Sequence, residues 1–589
     1  MKKRSLTRTF IAIIILLVVF GGGFLLFGGG LSKLSLAGGK PVILELDLDR
    51  TMVEDAGGSP LAALAFAGRL TLQDTLAALE AASHDDRVKV LIARVGNGSM
   101  GVAMRQDLRD SIIRFRQSGK KAYAFAETFG EFSGGTGNYY LATGFDRIYL
   151  QPSGDVGLAG IRVEPEFYKH TLEKLGIGVN GGQRYEYKNA YNVYTEEKMT
   201  PPHREALEGV LQSIHRQMMT AIAAARQIEP ERMQEVIDNG PYLAMQARDA
   251  KLVDELFYRD QVYSRVRKEV GNDARLLYLH SYLRKRGNPY AKGSPVALVY
   301  GVGGVQRGKS NENPLTGTTI MGSDTVCAGI RAAAKNDKIK VILFRVNSPG
   351  GSYVASDAVL RELARAREKG KKVVVSMGDL AGSGGYIVAL AADRVIAQPG
   401  TITGSIGVLA LKFITPGFWD KLGISHDAAE TARNASMWSG LTAYTPEQFA
   451  KFNAWLDRVY TEFTDKVAAG RKLPKERVLE IAKGRIWSGE DAVKLGLVDE
   501  LGGFTHAVDV AREMSGIAPG KNVKLIRYPR PTSLLDALTG KSPENSEKTM
   551  ISTLLQALAP LRPALQIIEQ MQRPAGSDVV EMPATDLGE

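Results

Sequence analysis

Apolar residues along this chain fall into three kinds of run. One is an uncharged stretch, FIAIIILLVVFGGGFLLF, from Phe10 to Phe27. The second kind is short and rich in β-branched residues, as in VKVLIARV (88–95) and IKVILFRV (339–346). Runs of that composition suit strands buried on both faces. The third kind places apolar residues at helical spacing, as in YVASDAVLRELARAREKG (353–370) and PEQFAKFNAWLDRVYTEFTDKVAAGR (446–471). From 339 onward the order is strand, helix, strand (371–377), glycine-rich turn, helix (from Tyr386) and strand (from Arg394). This predicts an α/β fold with right-handed crossovers.

The pattern occurs twice. DDRVKVLIARVGNG (85–98) matches NDKIKVILFRVNSPGG (336–351), and LATGFDRIYLQPSGDVGLAG (141–160) matches VALAADRVIAQPGTITGSIG (388–407). The offset is 393 − 146 = 247 at the Asp-Arg pair, 421 − 174 = 247 at Lys-Leu-Gly, and 337 − 86 = 251 near the start. Repetition at this length indicates a duplicated domain and not a solenoid. The expected organisation is a first repeat domain over 40–270, a second over 290–530, and a C-terminal extension over 531–589 read as partly ordered.

The uncharged run at 10–27 spans ~27 Å as a helix, enough to cross a hydrocarbon core. It follows a short N-terminus (1–9) carrying Lys2, Lys3, Arg4 and Arg8. Positive flanks hold a terminus in the cytoplasm. The reading is an uncleaved single-pass transmembrane anchor in the cytoplasmic (inner) membrane, with all later residues in the periplasm. A cleaved signal peptide is the alternative, with Ser35-Leu36-Ala37 as its site; the apolar run is long for a signal peptide. Net charge is +11 over 589 residues, with basic and acidic residues intermixed and no basic block interleaved with aromatics, so no nucleic-acid partner is expected. Cys327 is the only cysteine, which excludes an intrachain disulfide and any cysteine-built metal site. It reads as a small core residue. No cofactor or metal is expected.

Candidate chemistry centres on Ser383 in Ala381-Gly382-Ser383-Gly384-Gly385. A serine on a strand-to-helix bend is a candidate nucleophile, with the Gly384 amide placed to stabilise an oxyanion. Gly350 and Gly351 in NSPGGS (347–352) offer a second donor turn. A tight turn with a capping serine remains the plain alternative for this pattern by itself. Asp379, close by, reads as a turn residue. None of the seven histidines lies within forty residues of Ser383, so the base must be another residue type. The repeat supplies it. Ser383 falls opposite Thr136 in FSGGTGNYY, while Lys188 in GQRYEYKNAYNVYTEEKMTP falls opposite Ala435. Copy one keeps a lysine and lacks the serine; copy two keeps the serine and lacks that lysine. A hydrolase whose Ser–Lys pair was divided between copies leaves this trace. Lysine acts as a base only when neutral, which burial achieves by disfavouring its charged form. Ser405 in TITGSIG (401–407) is placed to hold the amine by a hydrogen bond. Lys412 is the reserve candidate for the base.

The N-terminal apolar run, the tandem copies, NSPGGS, AGSGGY, TITGSIG and YKNAY together resemble the long, duplicated bacterial type of signal peptide peptidase A (protease IV), within peptidase family S49. The likeness covers residues 1 to about 530. It implies two tandem Clp protease/crotonase-like domains after one transmembrane helix, and a Ser–Lys dyad that cleaves leftover signal peptides in or near the membrane. By motif it puts the nucleophile on Ser383, the base on Lys188, the lysine-orienting serine on Ser405, and the oxyanion hole at Gly384 with the Pro-Gly-Gly turn. The family's Lys-Ser-Ala reads Lys188-Asn189-Ala190 here, so the lysine's neighbours depart from the pattern. It also implies signal peptide remnants and other short or unfolded peptides as partners, and a homotetramer. A dyad split between domains is expected to close between copies, with the next chain as the favoured source of the lysine.

Three rivals differ in chemistry. A crotonase-like acyl-CoA enzyme would use the same paired amides but needs a cytoplasmic cofactor and usually a carboxylate. A catalytically inactive periplasmic scaffold would show no peptide turnover. A penicillin-binding Ser-x-x-Lys enzyme finds only Ser118-Gly-Lys-Lys121, in a polar turn with no later Lys-Thr-Gly.

Overall fold

The computed structural model describes residues 39–55, 69–96, 98–312 and 318–531. The anchor read at 10–27 and nearly all of the extension read at 531–589 lie outside them. Among the described residues no helix is long and apolar enough to cross a membrane.

In chain order the first half gives β1 (Val42–Asp47), β2 (Val88–Arg94), helix α1 (Val102–Gln117), β3 (Lys121–Ala126), helix α2 (Thr136–Ala142), β4 (Arg147–Leu150), β5 (Gly178–Arg184), helix α3 (Pro201–Arg226), β6 (Glu255–Leu256) and β7 (Arg275–Tyr278). The second half gives β8 (Ser294–Val302), β9 (Val341–Ser348), α4 (Tyr353–Glu368), β10 (Lys372–Gly382), α5 (Gly384–Ile387), β11 (Arg394–Ala397), β12 (Ile402–Gly404), β13 (Val408–Ile414), α6 (Pro446–Arg471), β14 (Ile486–Ser488), β15 (Glu500–Leu501) and β16 (Val523–Tyr528).

Two sheets result. The first is parallel, in the order β6-β4-β3-β2-β1-β7. The second runs β14-β12-β10-β9-β8-β16, with β11 also pairing β10 and β15 pairing β11. Its pairings are parallel except β12 with β14. Six of the eight strands of the second sheet repeat the first; β12 and β14 are additional to it. The helices repeat too: α1 and α4 both have 16 residues, and α3 and α6 both have 26. Each long helix opens on a threonine N-cap followed by proline and ends in a left-handed residue, Gln227 or Lys472. A threonine oxygen satisfies an otherwise unpaired N–H, and proline suits the first helical position.

β5 leaves the first sheet and pairs antiparallel with β13 of the second copy over seven residues, from Val408 opposite Arg184 to Ile414 opposite Gly178. The copies also interlock through charge. Arg345, on β9 and fully buried, donates from Nε to Glu54 at 2.7 Å and from Nη2 to Asp107 at 2.9 Å, both carboxylates of copy one. Burial pushes the Glu54 carboxyl up, and Arg345 only partly offsets this. Removing one member of a buried ion cluster leaves the others unpaired at a cost of about 3–5 kcal/mol. Arg345→Ala should therefore lower stability by about that amount, read as an earlier midpoint in urea unfolding. An unchanged midpoint would show the cluster to be dispensable.

The structure corrects two sequence expectations here. Asp379 is not a turn residue. The strand runs on past Met377 to Gly382, with its register shifting between Val346 and Ser348 on β9. Asp379 is instead a junction residue: its Oδ1 accepts the Met104 N–H at 3.0 Å, in the first turn of α1. A helix N-terminus favours a carboxylate there. The helix expected from Tyr386 is also shorter than read, since α5 covers only Gly384–Ile387. Cys327 lies in the helix Ser323–Lys335 as a buried free thiol.

Candidate active site

Ser383 stands between the end of β10 and the start of α5. Its φ of 53° is in the left-handed region, which a residue bearing a Cβ adopts only when its surroundings hold it there. Those surroundings are visible. The Ser383 N–H donates to Gly404 O at 2.9 Å, and its own carbonyl accepts from Tyr386 and Ile387. Ser405, the residue after Gly404, is held at φ 51°. The two strained serines thus face each other across neighbouring strand ends.

Lys188 comes from copy one. β5, paired to β13, carries the chain across the boundary between copies, and a turn closed by Lys188 N–H to Tyr185 O at 3.1 Å follows. Its Nζ lies 3.0 Å from Ser383 Oγ, 2.9 Å from Ser405 Oγ and 2.9 Å from Ser405 O. All three residues are buried. Burial alone lowers the amine's pKa to about 7. The structure therefore brings Ser383, Lys188 and Ser405 together, and it does so within one chain. The expectation that the lysine comes from the next chain is thereby corrected. Its physical reason is the β5–β13 ladder, which seats the lysine segment of copy one on copy two of the same chain.

The glycine turns divide. Gly384 N–H and Gly351 N–H make no hydrogen bond within the described residues. A Cβ built on Gly384 would sit 3.1 Å from Gly351 N, so the two amides are neighbours. Gly350 N–H instead donates to Ser348 Oγ at 3.2 Å. Gly351 and Gly384 are the pair open to an oxyanion. Thr136 and Ala435, the counterparts of the dyad, stay apart from it: Thr136 Oγ1 donates to Gly160 O at 2.8 Å. Lys412 is buried on β13 but committed elsewhere, donating to Met437 O at 2.9 Å and Ser439 O at 3.1 Å.

Sequence reasoning missed the segment Lys483-Gly484-Arg485. Lys483 O accepts the N–H groups of Tyr185 and Tyr187, and Arg485 O accepts the N–H of Ser405. This short segment thus holds the backbone on both sides of the amine. Gly484, at φ 85°, lies so close that a Cβ there would be 2.5 Å from both N and Cβ of Lys188. The available signal was the recurrence of this glycine as Gly240 in the first copy's IDNGPYL, opposite IAKGRIW. Gly484→Ala should push Lys188 out of place while leaving both sheets intact. A displacement near 1 Å costs on the order of 10²-fold in rate. The check is kcat/KM beside the far-ultraviolet circular dichroism spectrum; full activity would show that Lys188 tolerates the shift.

Known proteins resemble this chain over most of its length. The family model described as peptidase family S49 matches twice, over residues 114–273 and 365–518. Protease 4 of Salmonella typhi is 33% identical over 509 residues, 83% of this chain and 79% of that protein. The chloroplastic serine protease SPPA of Arabidopsis thaliana is 28% identical over 470 residues, 78% of this chain and 68% of that protein. A shorter relative, the putative signal peptide peptidase SppA of Enterococcus faecium, is 30% identical over 180 residues, 31% of this chain and 52% of its own. With two matched α/β units and relatives that run through most of its length, the chain belongs to peptidase family S49.

Proposed function

We propose that this peptidase is a membrane-anchored serine endopeptidase in which Lys188 activates Ser383, and that it degrades cleaved signal peptides in or near the cytoplasmic membrane. The observation that carries the reading is the fully buried Lys188 amine 3.0 Å from Ser383 Oγ, with its pKa lowered to about 7. A neutral amine has one lone pair to accept the Ser383 proton and two N–H groups, which Ser405 Oγ and O are placed to receive. As Oγ bonds to the scissile carbonyl carbon, the proton moves to Nζ. The carbonyl oxygen takes the negative charge at the Gly351 and Gly384 amides. When the C–N bond breaks, the lysine ammonium returns the proton to the leaving amine. Water then attacks the acyl ester, giving its proton to the Lys188 amine, and as the C–Oγ bond breaks that proton passes to Ser383 Oγ and the carboxylic product leaves.

Domains over 40–270 and 290–530 would carry the lysine and the serine, each of the Clp protease/crotonase-like type that the family implies. The anchor at 10–27 would hold them at the periplasmic face, and a homo-oligomer, a tetramer by family, would enclose the site. The test is hydrolysis of Leu- and Ala-rich signal peptide remnants by the full chain in detergent, against a folded protein of similar composition. Cleavage of the remnants alone supports the reading; no cleavage of any peptide contradicts it.

A further inference from the structure

Arg485 is joined to each member of the site. Its carbonyl accepts the Ser405 N–H at 2.8 Å. Its guanidinium lies 4.9 Å from the centre of the Tyr187 ring, one residue before Lys188, and 4.6 Å from the centre of the Trp487 ring on β14. At such distances an aromatic face attracts a cation. Trp487 in turn packs on Gly404, where a Cβ would sit 2.9 Å from the ring's Cδ1, and Gly404 O is the acceptor for the Ser383 N–H. Glu205, on α3, closes the set. Its Oε1 accepts from Arg485 Nη1 at 2.6 Å, and its Oε2 accepts from the Tyr187 hydroxyl at 2.9 Å.

The repeat ties these side chains to the site. Gly484 falls opposite Gly240, so Arg485 and Trp487 fall opposite Pro241 and Leu243. Tyr187 falls opposite Asn434, since 187 + 247 = 434, and Glu205 falls opposite Ala450, since the long helices start at Pro201 and Pro446. Features that serve the fold alone recur in both copies, as the threonine caps and prolines of α3 and α6 do. None of these four side chains recurs. Copy one keeps Tyr187 and Glu205 with its lysine, and copy two keeps Arg485 and Trp487 with its serine. The dyad itself was divided in the same way.

Tyr187, Arg485 and Trp487 are half-buried, whereas Lys188, Gly484 and Ser405 next to them are buried. The three larger side chains thus stand between the amine and solvent on this side. Burial, with no contribution from a neighbouring charge, is what lowers the Lys188 pKa, so the fit of its cover sets how much of the amine is neutral. The other charged side chains on these segments pair with one another, Lys483 with Glu186 at 3.1 Å and Arg184 with Asp457. The Glu205 side chain is 54% exposed, and a carboxylate in that setting contributes little by charge. We propose that Arg485 is a positioning residue for the base: with Tyr187, Glu205 and Trp487 it clamps the Lys188 turn onto the Ser405 strand end and keeps water from the amine. This deepens the Ser–Lys reading above and rests on it.

The test is the rate at which a fluorophosphonate labels Ser383 in the full chain in detergent, followed against pH. Arg485→Ala should move the midpoint of the rise upward by about one pH unit, toward the ordinary lysine value of ~10.4, which is about a tenfold loss of rate below the midpoint. Glu205→Ala should also move it upward, by less. Loss of that negative charge by itself would move it down, because an anion favours the ammonium. A rise in both variants therefore reports a loosened clamp and not a changed field. Circular dichroism and the urea midpoint are read on each variant. Should Arg485→Ala fail to fold, Glu205→Ala, at an exposed side chain, carries the test. An Arg485→Ala midpoint equal to that of the wild type, or a Glu205→Ala midpoint that does not rise, would overturn the proposal and leave the Ser–Lys reading standing. A wild-type rate that does not change with pH would overturn both.

Discussion

Lys188→Ala lowers kcat/KM for peptide hydrolysis by about 10³–10⁴-fold without changing the secondary structure, on the expectation that it removes the general base. Among the described residues the Lys188 amine is the basic group at Ser383 Oγ, and Ser405 has no basic nitrogen to replace it. Lys188→Arg should be as inactive, because a guanidinium stays protonated and has no lone pair to offer. That comparison separates loss of a base from loss of a positive charge. Lys412→Ala is the control. Its amine is occupied by Met437 O and Ser439 O and lies 4.0 Å from the centre of the Tyr444 ring, so its loss should leave the chemical step intact. If Lys188→Ala kept near-normal turnover while Lys412→Ala did not, the base would have to be reassigned. Both variants are read by initial rates on one peptide, with circular dichroism to confirm the fold.

Ser383→Ala should cost more, on the order of 10⁴–10⁶-fold, because the bond-forming atom is gone and only binding and the amide pair remain. The variant should also fail to react with a fluorophosphonate that labels the wild type. Because Ser383 and Lys188 meet within one chain, mixing Ser383→Ala with Lys188→Ala should restore nothing, even after subunit exchange is shown by differential tagging. Recovery of up to a quarter or half of wild-type activity in mixed oligomers would instead place the dyad between chains. The structure speaks against that outcome, since the seven-residue ladder of β5 on β13 fixes the path of the lysine segment.

The duplication was readable because it left aligned motifs at a nearly constant offset, and the meeting of Ser383 with Lys188 was readable because each copy had lost what the other kept. Ser383 and Ser405 stood out as serines among glycines, and both occupy left-handed backbone. What could not be read was non-local. Whether Lys188 met its own chain or the next turned on which strand β5 would pair, and β5, GVNGGQR, is too glycine-rich and polar to declare a partner. Asp379 looked like a turn residue because the apolar run stops at Met377. Its role came from the first turn of α1, 275 residues away in sequence. Arg345 hid for the opposite reason. It sits inside the apolar run VILFRV, where nothing local reveals that Glu54 and Asp107 arrive from the other copy to pair it. Gly484 was one glycine among 63; its recurrence as Gly240 was a faint signal, and its contact with Lys188 gives the reason for it.

The central claim is that a neutral Lys188 is the base for Ser383, and the pH dependence of Ser383 phosphonylation by a fluorophosphonate, with fluoride leaving, tests it most directly. Burial lowers the pKa of the amine to about 7, so the reactive neutral form grows as pH rises through that value. The rate should climb about tenfold per pH unit below it and level off above it. Lys188→Ala should flatten the profile at a low rate. A wild-type rate that does not change between pH 5.5 and 9, or a Lys188→Ala chain that keeps the wild-type rise, would contradict the account.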